Sequence, residues 1–256
     1  MTVLEAADVT VRLGGHLIVD RARLALRRGE VVALVGPNGA GKTTLVRALA
    51  GLLPAEGRVS LEGRALQSYS PRERARRIAY LPQGHVFHWP MPVAALVGLG
   101  RYPHADPFSP TTEADRAAIA RALIATATEV FAARSITTLS GGERARVALA
   151  RALATEAAVL LADEPTASLD PRHQLVVMGL LRRAAHGGNT VLAVVHDLLL
   201  AARFADRVVV MDRGRLVADA PPAEALAATR VAEVFGVETV TVNTGDGSLT
   251  IPWRPL

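Results

Sequence analysis

The octapeptide Gly36-Pro37-Asn38-Gly39-Ala40-Gly41-Lys42-Thr43 constrains this chain more than any other stretch. It follows the short apolar run Val31–Val35 and opens the apolar-periodic segment TTLVRALAGLL. A buried strand, a glycine-rich turn and a helix in that order form the G-x-x-x-x-G-K-[ST] loop. Its backbone N–H groups curl inward toward phosphate oxygens, and the helix adds its positive N-terminal end. In such a loop Lys42 reaches the β- and γ-phosphates, the Thr43 hydroxyl holds Mg²⁺ and Thr44 donates to the α-phosphate. Lys42 is the only lysine among 29 Lys and Arg residues. A chain that uses arginine everywhere else keeps a compact ammonium here, where a planar guanidinium is too large.

A second acidic element belongs with this loop. The apolar run VLLA ends in Asp163 and Glu164. A carboxylate at a strand end can hold Mg²⁺, which assigns Asp163 to the metal. Glu164, next along, is placed to take a proton from an attacking water.

The rest of the chain indicates how these pieces are held. From Ala157, strand-like and helix-like segments alternate: AAVLLADE, PRHQLVVMGLLRRAAHG, TVLAVVHD, LLLAARFAD and RVVVMDRGRLVADA. That alternation predicts an α/β fold with a mixed or parallel sheet and crossover helices. The N-terminal VLEAADVTVRL, HLIVD and ARLAL read as strands of an antiparallel subdomain, and RVSLEG and RRIAYLP as two more strands. Residues 112–155 turn helical, as TEADRAAIARALIATATEV and then GGERARVALARALAT, and interrupt the α/β pattern as an insertion. The expected layout is one domain. Residues 1–83 and 157–236 form the nucleotide-binding core, about 84–156 a helical subdomain, and 237–256 a C-terminal hairpin turning at NTGDGS.

Composition excludes several classes. Half of the 256 residues are hydrophobic, enough for a sizeable core. No apolar run reaches the roughly 18 residues that a membrane span needs, and the start MTVLEAADVT does not read as a secretory signal. Zero cysteines rule out disulfides and thiolate metal sites and fit a cytosolic chain. A net charge of +5 raises the possibility of nucleic acid. The arginines are scattered beside acids, however, as in PRERARR and GGERARVALARAL, which reads as solvated helix faces and predicts no nucleic-acid partner.

Leu139-Ser140-Gly141-Gly142-Glu143 narrows the class. Read locally it is a helix start: Ser140 as N-cap, Glu143 completing a capping box, and glycine amides bare enough to meet a phosphate. Together with the phosphate loop and the Asp163–Glu164 pair, in that order, it makes residues 2–235 resemble the ATP-binding cassette (ABC) family. The resemblance implies ATP and Mg²⁺ as ligands and a head-to-tail dimer. Each ATP then lies between one subunit's loop and the partner's Ser140, Gly141, Gly142 and Glu143. It further implies that Gln83 in YLPQ meets Mg²⁺ and the attacking water, that Asp170 in SLD crosses between subunits, and that His196 in VVHD lies near the γ-phosphate. One departure stands out. Many relatives have an aromatic residue near position 13 to stack on adenine, whereas this chain has Leu13, with His16 close by.

With no span of its own, a cassette of this kind implies separate membrane permease subunits, a substrate-binding protein acting through them, and a place on the cytoplasmic face of the membrane. The segment Val93–His104, VAALVGLGRYPH, and the later HDLLLAARFADRVVVMDRGRLVADAPP resemble the importer subgroup for ferric siderophores, haem and cobalamin. A soluble ABC ATPase and an exporter ATPase remain as alternatives. Phe87, Trp89, Met91 and Val93 read as a permease-facing surface, or as padding between core and helical subdomain. His85, His88 and His104 read as surface loop residues rather than ligands of metal or haem, since a ligand set needs fixed geometry and a second shell.

Overall fold

The computed structural model describes residues 1–84, 87, 89–106, 110–244 and 247–256. An antiparallel sheet comes first, from β1 (Thr2–Leu13) and β2 (His16–Arg27). The stretch expected as two strands, HLIVD and ARLAL, is one continuous β2. It stays paired with β1 although Asp8 and Arg21 take positive φ values of 53° and 46°, where the register shifts and both strands bend. After β3 (Val31–Val35) and α1 (Lys42–Leu49), β4 (Glu56–Leu61) and the two-residue β5 (Arg64–Ala65) complete this sheet in the order β2-β1-β4-β5.

The second sheet carries the site. Following α2 (Pro71–Ala75) come β6 (Ile78–Leu81), then α3 (Val93–Gly98), α4 (Glu113–Ala125) and α5 (Gly141–Leu153). Next are β7 (Val159–Ala162), α6 (Pro171–His186), β8 (Thr190–Val194), α7 (Leu198–Phe204), β9 (Arg207–Asp212) and β10 (Arg215–Ala220). The six strands run β10-β9-β3-β8-β7-β6, parallel throughout except for the antiparallel edge strand β10. The mixed α/β fold expected from the alternation, with its antiparallel N-terminal sheet and inserted helices, is the fold observed.

Strand β3 shows why. All of its residues are buried, and side chains alternate across the sheet. Val31, Ala33 and Val35 join a cluster with α5, α6 and α7, while Val32 and Leu34 join a cluster with α1 and the antiparallel sheet. A continuous apolar run is what a strand covered on both faces requires.

The inserted helices have a core of their own, formed by Val93, Leu96, Val97, Leu123, Ile136 and Val147 among others. Helix α4 ends at Ala125, earlier than the periodic pattern suggested. Thr126 and Thr128 are buried and bond back to carbonyls of the last turn, which stops the helix. Arg101 bolts the block to the core side. Its buried guanidinium pairs with Asp115 of α4 at 2.9 Å, with Glu156 at 2.9 Å, and with the Ala154 carbonyl at 2.8 Å. His104 is half-buried and bonds the Thr155 carbonyl at 2.9 Å, which corrects its reading as a surface residue. Thus part of Val93–His104 is an internal fastening. His85 and His88 lie outside the described residues.

The chain ends in α8 (Pro222–Ala225), α9 (Ala228–Phe235) and the antiparallel hairpin of β11 (Val237–Thr244) and β12 (Gly247–Pro255), which packs on α7, α8 and α9. Gly245 and Asp246, within the expected turn, lie outside the described residues. Among the described residues, no helix is long and apolar enough to cross a membrane.

Candidate active site

Adjacent parallel strands deliver the site. At the carboxyl end of β3 begins the phosphate loop, at that of β8 lies His196, at that of β7 lie Asp163 and Glu164, and at that of β6 lies Gln83. Open α/β sheets place ligand chemistry at this edge because every strand there ends in a loop free to vary.

The loop is held by close backbone packing. A β-carbon on Gly36 would fall 2.0 Å from the Met211 carbonyl oxygen of β9, and the φ of 155° there suits only glycine. Lys42 is buried, and its Nζ donates to the carbonyls of Gly36 and Pro37, both at 2.8 Å. Burial lowers its pKa, while Glu164 and Asp163 oppose that shift. The ammonium therefore shapes the loop from inside, with carboxylates close enough to favour its charge.

Behind the loop, Asp163 is fully buried. Its Oδ1 accepts from the Thr43 hydroxyl at 2.9 Å and its Oδ2 from the Tyr80 hydroxyl at 3.0 Å. Tyr80 in turn accepts from Arg47 Nε at 3.2 Å. The adjacent hydroxyl and carboxylate are hard oxygen donors, the chemistry that Mg²⁺ selects. Sequence reasoning missed Tyr80. Its place in β6, three residues before Gln83 and beside β7, was the signal that could have found it.

Glu164 sits at a positive φ of 52°, a conformation that costs a non-glycine residue about 1–3 kcal/mol and persists where the surroundings enforce it. Its carboxylate is held by two side chains. Gln83 Nε2 donates to Glu164 Oε2 at 2.6 Å, and His196 Nε2 meets Oε1 at 2.6 Å. The structure thereby brings together the three residues Gln83, Glu164 and His196 from three strand ends.

The LSGGE segment stands apart from this cluster. Ser140 caps α5: Glu143 N–H donates to Ser140 Oγ at 3.3 Å, and Ser140 N–H to Glu143 Oε2 at 2.7 Å. Those bonds, chiefly the backbone one from Ser140, hold the Glu143 carboxyl below the usual range. Gly141 faces open space, whereas Gly142 is covered by the ring of His173. Asp170 caps α6 by accepting from His173 N–H at 3.0 Å.

Of the four residues read as a partner surface, Val93 is fully buried, and Phe87 and Met91 pack against core clusters. They pad the junction, and Trp89 alone stands out, 79% exposed. At the other edge Leu13 is 41% exposed and His16 is exposed, a strand pair flanking the β1–β2 turn.

The model of the ABC transporter family matches residues 19–167, which carry the phosphate loop, the LSGGE segment and the Asp163–Glu164 pair. The chain belongs to the ABC transporter family. It is an ATP-binding cassette whose hydrolysis is coupled to transport. It is similar to the "Hemin import ATP-binding protein HmuV" of Streptomyces coelicolor, 48% identical over 90% of this chain and 82% of that one. A chain of an inward-facing ABC transporter has the same fold, with a TM-score of 0.86 over 99% of this cassette and 98% of that chain at 23% identity. A dimeric bacterial ABC transporter cassette is 27% identical, with a TM-score of 0.73 over 86% of this chain and 98% of that one.

Proposed function

We propose that this cassette is the Mg²⁺-dependent ATPase of a haem importer, working as a head-to-tail pair beneath a separate permease on the cytoplasmic face of the membrane. The observation that carries the cargo is the 48% identity to a hemin import ATP-binding protein over nearly the whole chain. The importer-like segment Val93–His104 supports the same subgroup.

The contacts within the chain support the following roles. Lys42 and the loop amides bind the phosphates, and Thr43 and Asp163 hold Mg²⁺, which when bound offsets charge on the β- and γ-phosphates. Glu164 takes the proton of the attacking water. His196 and Gln83, one on each oxygen of that carboxylate, aim it. Ser140, Gly141, Gly142, Glu143 and Asp170 serve the partner's nucleotide. A groove of about 460 Å³ between the core and the inserted helices, walled by Leu52, Tyr80, Leu99 and Gly100 with Arg74 and Arg151, offers an apolar seat for a permease helix. Trp89 adds an exposed aromatic contact for the same partner.

The test is purification of the tagged chain from its own membranes, identification of the copurifying permease, and reconstitution of the complex in vesicles. ATP-dependent haem uptake is the expected result. Uptake of a ferric siderophore or cobalamin in its place overturns the cargo, and a chain that copurifies with no permease overturns the importer reading.

A further inference from the structure

We propose that His173 is a positioning residue. Its ring fixes the start of α5 to the start of α6, so that the LSGGE segment and Asp170 reach a second subunit as one surface. The proposal rests on the head-to-tail pairing above and concerns how one subunit prepares the surface it offers.

The imidazole is held from both sides. Asp170 Oδ1 accepts from the backbone N–H of His173 at 3.0 Å, and Asp170 Oδ2 lies 2.7 Å from ring Nδ1. These bonds, the backbone one first, keep the Asp170 carboxyl below its ordinary range, so it is an anion facing the ring. An anionic acceptor at Nδ1 selects the tautomer that carries its proton there and fixes the ring plane.

The far edge of that ring lies on Gly142. A β-carbon there would fall 2.0 Å from Cδ2, 2.3 Å from Cγ and 2.5 Å from Nε2 of His173. Glycine at 142 is thus a space requirement set by the ring, whereas Gly141 meets nothing within 4 Å. The segment before α6 supplies the rest: Ser168 takes a positive φ of 59° and Pro171 opens the helix, so the chain enters α6 in a fixed conformation. One ring therefore joins two helix starts that sequence separates by the whole of α5, strand β7 and their loops.

The consequence is separable from nucleotide binding. Replacing His173 by Ala leaves its backbone N–H to Asp170, and so the cap of α6, while removing the contact with Gly142. Lys42 and its loop are untouched. Misplacing groups by about 1 Å costs on the order of a hundredfold in processes that need them aligned, so the loss is expected in pairing and not in the first binding step.

The experiment uses the full chain carrying Glu164→Gln, with pairing on MgATP read by sedimentation and nucleotide binding by a fluorescent ATP analogue. With His173→Ala added, analogue affinity is expected within about twofold of the parent and pairing weakened by about tenfold or more. His173→Asn, whose amide can still donate to Asp170, is expected to fall between. The decisive comparison is with Gly142→Ala. Alone it is expected to weaken pairing more than His173→Ala does, through the clash with the ring as well as through its own place at the partner's nucleotide, and adding His173→Ala to it is expected to recover the part due to the clash. Undiminished pairing of both His173 variants, or no recovery in the double variant, overturns the proposal while leaving the dimer intact. A Glu164→Gln parent that does not pair on MgATP overturns the dimer reading itself and the proposal with it. If His173→Ala does not fold, His173→Asn decides, and normal pairing by that variant with its melting temperature lowered makes the ring a structural filler and overturns the proposal.

Discussion

Tyr80 and Asp163 share a 3.0 Å hydrogen bond that occupies the carboxylate oxygen not taken by Thr43. The phenol stands behind the metal-binding candidate and fixes its rotamer. Partners of this kind typically change metal affinity by about 10–100-fold. Tyr80→Phe keeps the ring in place, so its melting temperature should stay near that of the parent. The Mg²⁺ concentration for half-maximal hydrolysis should rise by about tenfold or more. An unchanged Mg²⁺ titration would show that Thr43 alone suffices.

Lys42 fills a space bounded by the Gly36 and Pro37 carbonyls. Lys42→Ala removes charge opposite the phosphates, and Lys42→Arg brings a fork that this space does not admit. Both should lower phosphate release by on the order of a hundredfold or more. Turnover of the arginine variant at the parent rate would refute the fit argument.

Glu164→Gln keeps the size of the side chain and removes its basicity. The expected loss in turnover is about 10²–10⁴-fold with nucleotide affinity retained. His196→Ala, which frees one oxygen of Glu164, should show a smaller loss, seen in turnover and not in nucleotide affinity. Should the Glu164→Gln variant hydrolyse ATP at the parent rate, the base lies elsewhere.

Asp115 links pH to stability. Its carboxyl is lowered from 3.8 to about 2, first by the Thr112 hydroxyl and then by Arg101. A carboxylate depressed in the folded state contributes fully above its unfolded pKa, and the contribution disappears as pH falls through the folded one. Asp115→Asn should therefore be less stable than the parent at neutral pH. The gap should be about 3 kcal/mol, at the low end for a broken buried pair because Glu156 still faces Arg101. Between about pH 4 and about pH 2 the gap should close. Urea titrations across that range measure it, and a gap that does not narrow would refute the assignment.

Legibility in the sequence followed locality. The phosphate loop, the Asp163–Glu164 strand end and the Ser140 cap are each set by a few consecutive residues, so backbone rules alone expose them. The alternation after Ala157 revealed the parallel sheet for the same reason. What escaped were pairings across the fold. Tyr80 meets Asp163 over 83 positions, and Arg101 meets Glu156 over 55. Neither has a local signature, because a tyrosine in an apolar strand or an arginine after a helix is ordinary until the topology places an acid opposite. The two readings left open for Phe87, Met91 and Val93 have a related cause. Proline-rich spacing looked like an open loop, whereas Val93 is buried and the half-buried Phe87 and Met91 pack against the core of the inserted helices, as the padding reading expected.

Arg101 has a mechanical consequence. By tying α4, the carbonyl of Ala154 at the C-cap of α5, and Glu156 into one piece, it resists sliding of these parts past each other. Helix α5 has 13 residues, a rod of about 20 Å, with Ser140 at its start and the Arg101 bolt at its end. Torque applied near Ala154 is not dissipated in shear. It arrives at Ser140 as displacement scaled by the length of the rod, so a small rotation at the Arg101 end becomes a larger displacement at the tip that the proposed head-to-tail pairing turns toward a second subunit.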